Sequence, residues 1–300
     1  MKKILIILLV VCLLLQGTIA LGETIVTSFY PVWLMALNLT DGIPELNVRN
    51  LAAPDTGCLH DYQLQTGDMK VLAEADVFLV NGGGMESYLD HVFGAFPELT
   101  VVVASEGISY LSDVNGIEIG DAEEDDLVNA HVWLDASNMA IMTETTGRKL
   151  AELFPQHAEK ILENTTGYVA RLNELDGKLK EMLATAERRD IVTFHEAFPY
   201  FAQAYGLNIV AVVNKEPGET LSPAQMGKLI DTVRKLGNPP LFTEPQYEEL
   251  SARILAAETG SEVYSLDPVV TGPEENVPLT YYEDRMTENA RVLTEALSGK

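Results

Sequence analysis

The sequence predicts an α/β protein of two similar lobes, each a parallel sheet clad in helices, joined by one long rigid helix. Three observations predict it. From Thr24 onward, short β-branched runs alternate with segments of helical length, the pattern of a parallel sheet with crossover helices. From Pro155 to Ala186, apolar residues recur at three- and four-residue spacings without a turn cluster, which reads as helix. After Ala186 the alternation restarts: Ile191-Val192-Thr193 echoes Ile25-Val26-Thr27, and each is followed by an aromatic–proline turn. The expected division is 1–22 export signal, 23–154 N-terminal lobe, 155–186 connecting helix and 187–300 C-terminal lobe. With 300 residues, 47% of them hydrophobic, the chain can build one large or two moderate cores.

Met1-Lys2-Lys3 and the apolar run Ile4 to Leu15 form the charged and hydrophobic regions of an export signal, with small residues for cleavage at Thr18-Ile19-Ala20 or Ala20-Leu21-Gly22. The run is too short for a comfortable membrane span, and no other stretch approaches one. Cys12 follows Val11 inside the apolar run, so signal cleavage is favoured over lipid attachment at Cys12. The expected location is the periplasm or the outer face of the cytoplasmic membrane. After cleavage Cys58 is the remaining cysteine, which leaves no intramolecular disulfide.

In the first lobe, Thr24–Thr27 is a strand, Ser28–Pro31 a turn and Val32–Leu39 an amphipathic helix. Val48–Ala53 is a second strand, leading to the loop Pro54-Asp55-Thr56-Gly57-Cys58-Leu59-His60-Asp61-Tyr62. A helix over Thr66–Glu74, a strand over Val77–Val80, a helix over Met85–Phe93 and a strand over Thr100–Val103 follow. Gly82-Gly83-Gly84 lacks the GxGxxG spacing of a dinucleotide fingerprint and reads as a tight turn. Asp113–Asp126 is an acidic, glycine-containing loop without regular periodicity. It leads into Asn129-Ala130-His131-Val132-Trp133-Leu134-Asp135.

Pro155 suits a helix start, and polar residues flank Gly167 and Gly177, so one continuous helix is favoured over two. In the second lobe, Ile191–Phe194 is a buried strand running into His195, and Tyr200–Tyr205 a short helix capped by Gly206. Strand Ile209–Val213, loop Asn214–Thr220, helix Pro223–Leu236, strand Pro240–Thr243, helix Gln246–Glu258 and strand Glu262–Ser265 complete it, delivering Leu266-Asp267-Pro268 to a final loop.

With 20 basic against 45 acidic residues, a net charge of −25, the chain lacks the basic footprint of a nucleic-acid binder. The acidity suits cation attraction and solubility alike. Of the five histidines, His91 and His157 read as surface helix residues. His60, His131 and His195 sit in loops or at strand ends after apolar runs, where open α/β sheets place ligand sites, and Asp267 occupies the same kind of position. Too far apart for a zinc-finger knuckle, these four could converge between the lobes as three imidazoles and a carboxylate, a set suited to tetrahedral Zn²⁺. Cys58 reads as a small loop residue rather than a ligand. His195-Glu196 is not followed by a histidine at position 199, so the HExxH metalloprotease motif is absent.

The segments Pro54–Tyr62, Asn129–Asp135, Phe194–Phe201 with Tyr205-Gly206-Leu207, Phe242-Thr243-Glu244-Pro245-Gln246 and Leu266-Asp267-Pro268 together resemble, in order and over about residues 24 to 297, the zinc/manganese solute-binding proteins of ATP-binding-cassette importers. The resemblance implies two α/β lobes bridged by a rigid helix, metal in the interlobe cleft, delivery to a membrane permease and no catalysis. Carried over by motif, the ligands are His60, His131, His195 and Asp267. In that family the third ligand is His in many zinc binders and Glu in typical manganese binders, so His195 points to Zn²⁺, with Mn²⁺ as the alternative. The histidine-rich loop of some zinc members is replaced here by the acidic stretch before His131. The expected partners are a divalent cation and the importer permease, with no nucleic acid, and the protein is expected to be a monomer. Rival readings are a zinc hydrolase with Glu196 or Asp267 as base and an adhesin with a structural metal.

Overall fold

Val77-Phe78-Leu79-Val80 is apolar at every position and buried along its whole length, as a strand covered on both faces must be. In the computed structural model, which describes residues 22–57, 59, 62–111, 117–118, 128–213, 221–247 and 250–298, that run is an interior strand of a parallel sheet. β1 (Glu23–Thr27), β2 (Leu46–Asn50), β3 (Val77–Val80) and β4 (Thr100–Val103) lie in the order β2-β1-β3-β4, all parallel. α1 (Tyr30–Leu39), α2 (Thr66–Ala73) and α3 (Leu89–Ala95) make the crossovers. α1 starts two residues earlier than its apolar pattern predicts, because Pro31 in its first turn is pre-set for helical φ. α3 starts later than predicted. Gly82, Gly83 and Gly84 all have positive φ, and the Glu86 carboxylate accepts from the Asn81 and Gly82 amides at 2.7 and 3.0 Å, closing a loop before the helix can begin.

The second sheet contains β5 (Ile117–Glu118), β6 (Asp190–Thr193), β7 (Asn208–Val212), β8 (Leu241–Thr243) and β9 (Val263–Ser265) in the order β5-β7-β6-β8-β9. Its core order, β7-β6-β8-β9, repeats that of the first sheet, so the two lobes share one parallel topology. α6 (Pro199–Tyr205), α7 (Pro223–Lys235) and α8 (Leu250–Thr259) connect these strands, and Gly206 caps α6 in the left-handed conformation. β5 departs from expectation. It comes from the acidic stretch, yet pairs with Ala211 and Val212 on the edge of the second lobe; two residues carry too little periodicity to be read as a strand. The rest of that stretch, the export signal, Cys12, Cys58 and His60 lie outside the described residues.

Two helices went undrawn from sequence, α4 (Ala136–Leu153) and α9 (Tyr281–Ala296). α4 buries a face of Ala, Thr and Gly beside its methionines, a stripe with little hydrophobic contrast. Between α4 and α9 in the chain, α5 runs unbroken from Ala158 to Ala184 through Gly167 and Gly177, about 40 Å at 1.5 Å per residue. Its buried stripe is Ile161, Thr165, Tyr168, Leu172, Leu175, Leu179 and Leu183, the spacing of one helical face. It packs on α4, α9, α1 and α6, and one apolar core runs through both lobes around it. Arg171 of α5 pairs with Glu283 of α9 at 3.0 Å and with Asn38 of α1, tying both lobes to the same helix. No helix among the described residues is long and apolar enough to cross a membrane.

Candidate metal site between the lobes

In a sheet ordered 2-1-3-4, the crevice at the carboxyl ends of the first and third strands is the natural ligand position, since the connections leave in opposite directions there. In the second lobe those strands are β6 and β8. Bonds from the Val192 amide to Pro240 O and from the Phe194 amide to Phe242 O hold them in register. His195 follows β6 and Glu244 follows β8, and their side chains meet: His195 Nδ1 lies 2.7 Å from Glu244 Oε1. Both residues are buried. Gln246 Nε2 donates to the other carboxylate oxygen at 2.7 Å.

His131 reaches the same place from the first half of the chain. A short 3₁₀ turn, Val132–Leu134, follows it, and Asp135 caps α4 by accepting from the Ser137 amide at 2.8 Å. Asn129 Oδ1 accepts from the His131 amide at 3.0 Å and lies 3.2 Å from His131 Nδ1. The imidazoles of His131 and His195 then pack edge to face, centroids 5.1 Å apart, and His131 also packs on Trp133 at 5.2 Å.

Polar tips of aromatic and amide side chains fasten this junction across the lobes. Asn129 Nδ2 donates to Glu196 O at 2.9 Å, and Tyr200 Oη to Asn129 O at 2.9 Å. Trp133 Nε1 donates to Pro268 O at 2.8 Å, and Tyr282 Oη to Trp133 O at 2.6 Å. The loop that carries Asp267 is thereby tied to Trp133. The Asp267 amide donates to Asn289 Oδ1 at 2.9 Å while Asn289 Nδ2 donates back to Asp267 O at 2.7 Å. The Asp267 carboxylate accepts from the Val269 amide at 2.8 Å. Burial raises the Asp267 carboxyl above the ordinary carboxylate range. The Val269 bond and the nearby Arg285 oppose that shift, and the Glu244 charge adds to it.

The loop expected to carry His60 is anchored at its base, where the Gly272 amide donates to Pro54 O at 3.1 Å. Gly57 in the same loop has φ +85°, and a Cβ there would press on Tyr247 Oη from the second lobe. The structure thus packs His131 against His195 and ties the loop that carries Asp267 to Trp133 through Pro268 O, while His60 lies outside the described residues. Among the described residues, no three His, Cys, Asp or Glu side chains are already drawn into a metal cage. His91 is exposed on α3 and His157 lies near Glu23, neither of them in this cluster. Glu196 is buried, with its carbonyl engaged by Asn129. Glu244 received no role from sequence, although its position just past a predicted strand is the signal that singled out the histidines.

The family model described as ZnuA, zinc-uptake complex component A periplasmic, matches residues 25–296. The manganese-binding lipoprotein MntA of Halalkalibacterium halodurans is 30% identical over 245 residues, covering 80% of this chain and 77% of its own length. The iron-binding protein YfeA of Yersinia pestis is 29% identical over 240 residues, covering 79% and 74%. The crystal structure of a Zn(II)-bound mutant variant of AdcAII from Streptococcus pneumoniae aligns with a TM-score of 0.78 at 26% identity, covering 93% of this chain and 99% of that one.

Proposed function

We infer the function from one premise: this chain belongs to the family of periplasmic zinc-uptake complex component A proteins. It is a metal-binding solute-binding protein of the ATP-binding-cassette importer class, not an enzyme. Our reading goes further. The protein, exported beyond the cytoplasmic membrane, captures Zn²⁺ with His60, His131, His195 and Asp267 and hands it to the permease of its importer.

The observation that carries this reading is the buried meeting of His131 and His195, 5.1 Å apart between the lobes. Neutral imidazoles with a carboxylate suit tetrahedral zinc at about 2.0–2.2 Å. Nitrogen donors favour zinc over manganese, which prefers an oxygen-rich sphere. Four protein ligands leave no open position for a reactive water, which matches capture rather than hydrolysis. A second reading, manganese uptake on the same scaffold, is favoured by the 30% identical manganese-binding relative.

Competitive titration of the metal-stripped protein with Zn²⁺ and Mn²⁺, alongside His195→Ala, separates them. One tight equivalent of zinc, not displaced by manganese and lost in the variant, is the expected result. Tighter manganese binding moves the cargo to manganese, and zinc binding untouched by the substitution places the site elsewhere. Because imidazoles bind metal only when neutral, with ordinary pKa values of about 6.5, acidification to pH 5 should weaken binding. Unchanged affinity there argues against a histidine-rich site.

A further inference from the structure

We propose that Glu244 is the positioning residue of this site: it holds the His195 imidazole as the Nδ1–H tautomer and so presents Nε2 to the metal. This rests on the assignment of His195 as a ligand. A neutral imidazole carries one N–H, and an ionised carboxylate can only accept. The 2.7 Å contact between His195 Nδ1 and Glu244 Oε1 therefore places the proton on Nδ1, which leaves the Nε2 lone pair for a cation. A carboxylate behind a ligating histidine also makes the imidazole a stronger donor.

Glu244 is built to stay in place. Gln246 Nε2 holds its second oxygen. The Leu266 amide donates to Thr243 O at 2.9 Å, so the strand end carrying Glu244 is tied to the one carrying Asp267. His131 provides the internal contrast. Its Nδ1 faces the neutral amide oxygen of Asn129 at the longer distance of 3.2 Å, so the same tautomer is selected there without a charge. The two described imidazoles are unequal donors, with His195 the stronger.

The test uses the full metal-stripped protein at pH 7.5, with ¹⁵N-edited NMR of the imidazole nitrogens and zinc affinity measured by competition with a chelator. Wild type, Glu244→Gln, Glu244→Ala and His195→Ala are compared. The expected His195 signature in wild type is a protonated Nδ1 and an unprotonated Nε2. Glu244→Gln keeps an acceptor, so it retains that tautomer and binds zinc less tightly than wild type. Glu244→Ala shifts the proton toward Nε2 and lowers zinc affinity about 10–100-fold. An unchanged tautomer and affinity in Glu244→Ala would overturn the proposal, as would loss of the Nδ1–H form in Glu244→Gln. If Glu244→Ala does not fold, the Gln variant decides: the retained tautomer with weaker zinc binding supports the proposal, and unchanged affinity overturns it. If His195→Ala binds zinc like wild type, the ligand assignment itself is wrong. If His195→Ala loses zinc and Glu244→Ala does not, only the role of Glu244 is wrong.

Discussion

Val269, two residues past Asp267, takes a left-handed backbone conformation at φ 61°. For a β-branched residue that conformation costs on the order of 1–3 kcal/mol and persists only when its surroundings over-determine it. Here the Trp133–Pro268 and Asn289–Asp267 bonds supply the constraint, so strain is stored beside a candidate ligand. Glu86 is the counterpart in the first lobe. Burial raises its carboxyl above the ordinary value of 4.5, while the bonds from the Asn81 and Gly82 amides pull the other way. A raised value means that the native state holds the proton more tightly than the unfolded chain. The stability contributed by this group is therefore fully present below 4.5 and lost as pH rises through the raised value. Denaturant unfolding of wild type and Glu86→Gln should show a difference in unfolding free energy, wild type minus variant, that falls as pH rises from 4.5 toward neutrality. A difference that grows with pH would reverse the assignment.

Among the elements, α4 and α5 form a helical hairpin whose closeness depends on one missing side chain. A Cβ at Gly147 would overlap the Oγ1, Cγ2 and Cβ atoms of Thr165. Replacing a helical glycine by alanine ordinarily gains about 1 kcal/mol of helix propensity, whereas overpacking a tight contact costs about 1–3 kcal/mol. Because the overlap involves the Thr165 Cβ itself, repulsion should win. Gly147→Ala is expected to destabilise the protein, with part of the loss recovered in Gly147→Ala/Thr165→Ala, as read by a double-mutant cycle in denaturant. A stabilised single variant would show that the helices part at no cost. The small-residue face that permits this approach is also why α4 was missed: Thr143, Thr146 and Gly147 are buried there without announcing a hydrophobic stripe.

At the scale of the molecule, α5 is a common spine. Arg171 joins it to α1 and α9, and Asn38 Nδ2 reaches Leu279 O at 3.0 Å, so the lobes are tied on the side away from the sheets as well as at the site. A continuous helix with both lobes packed on it resists hinge closure, and metal capture should proceed by small tilts and loop movement. Solution scattering of metal-free and zinc-loaded protein should show nearly the same radius of gyration. A large fall on zinc addition would mean that α5 bends or that the lobes slide on it.

Periodicity alone determined the parallel α/β class, the restart after Ala186 and the long helix, because those signals are local and repeat over many residues. Position in a loop or at a strand end after an apolar run made His60, His131, His195 and Asp267 the candidate ligands, since open α/β sheets place ligand sites at the carboxyl ends of their strands. Only the tertiary structure decided that His131 and His195 pack against each other. It alone decided that Glu244 backs His195 and that Ile117–Glu118 crosses to the second lobe's edge. Each depends on which strand lies beside which: β6 beside β8 and β5 beside β7 are pairings between segments far apart in the chain, and no local pattern of residues encodes them.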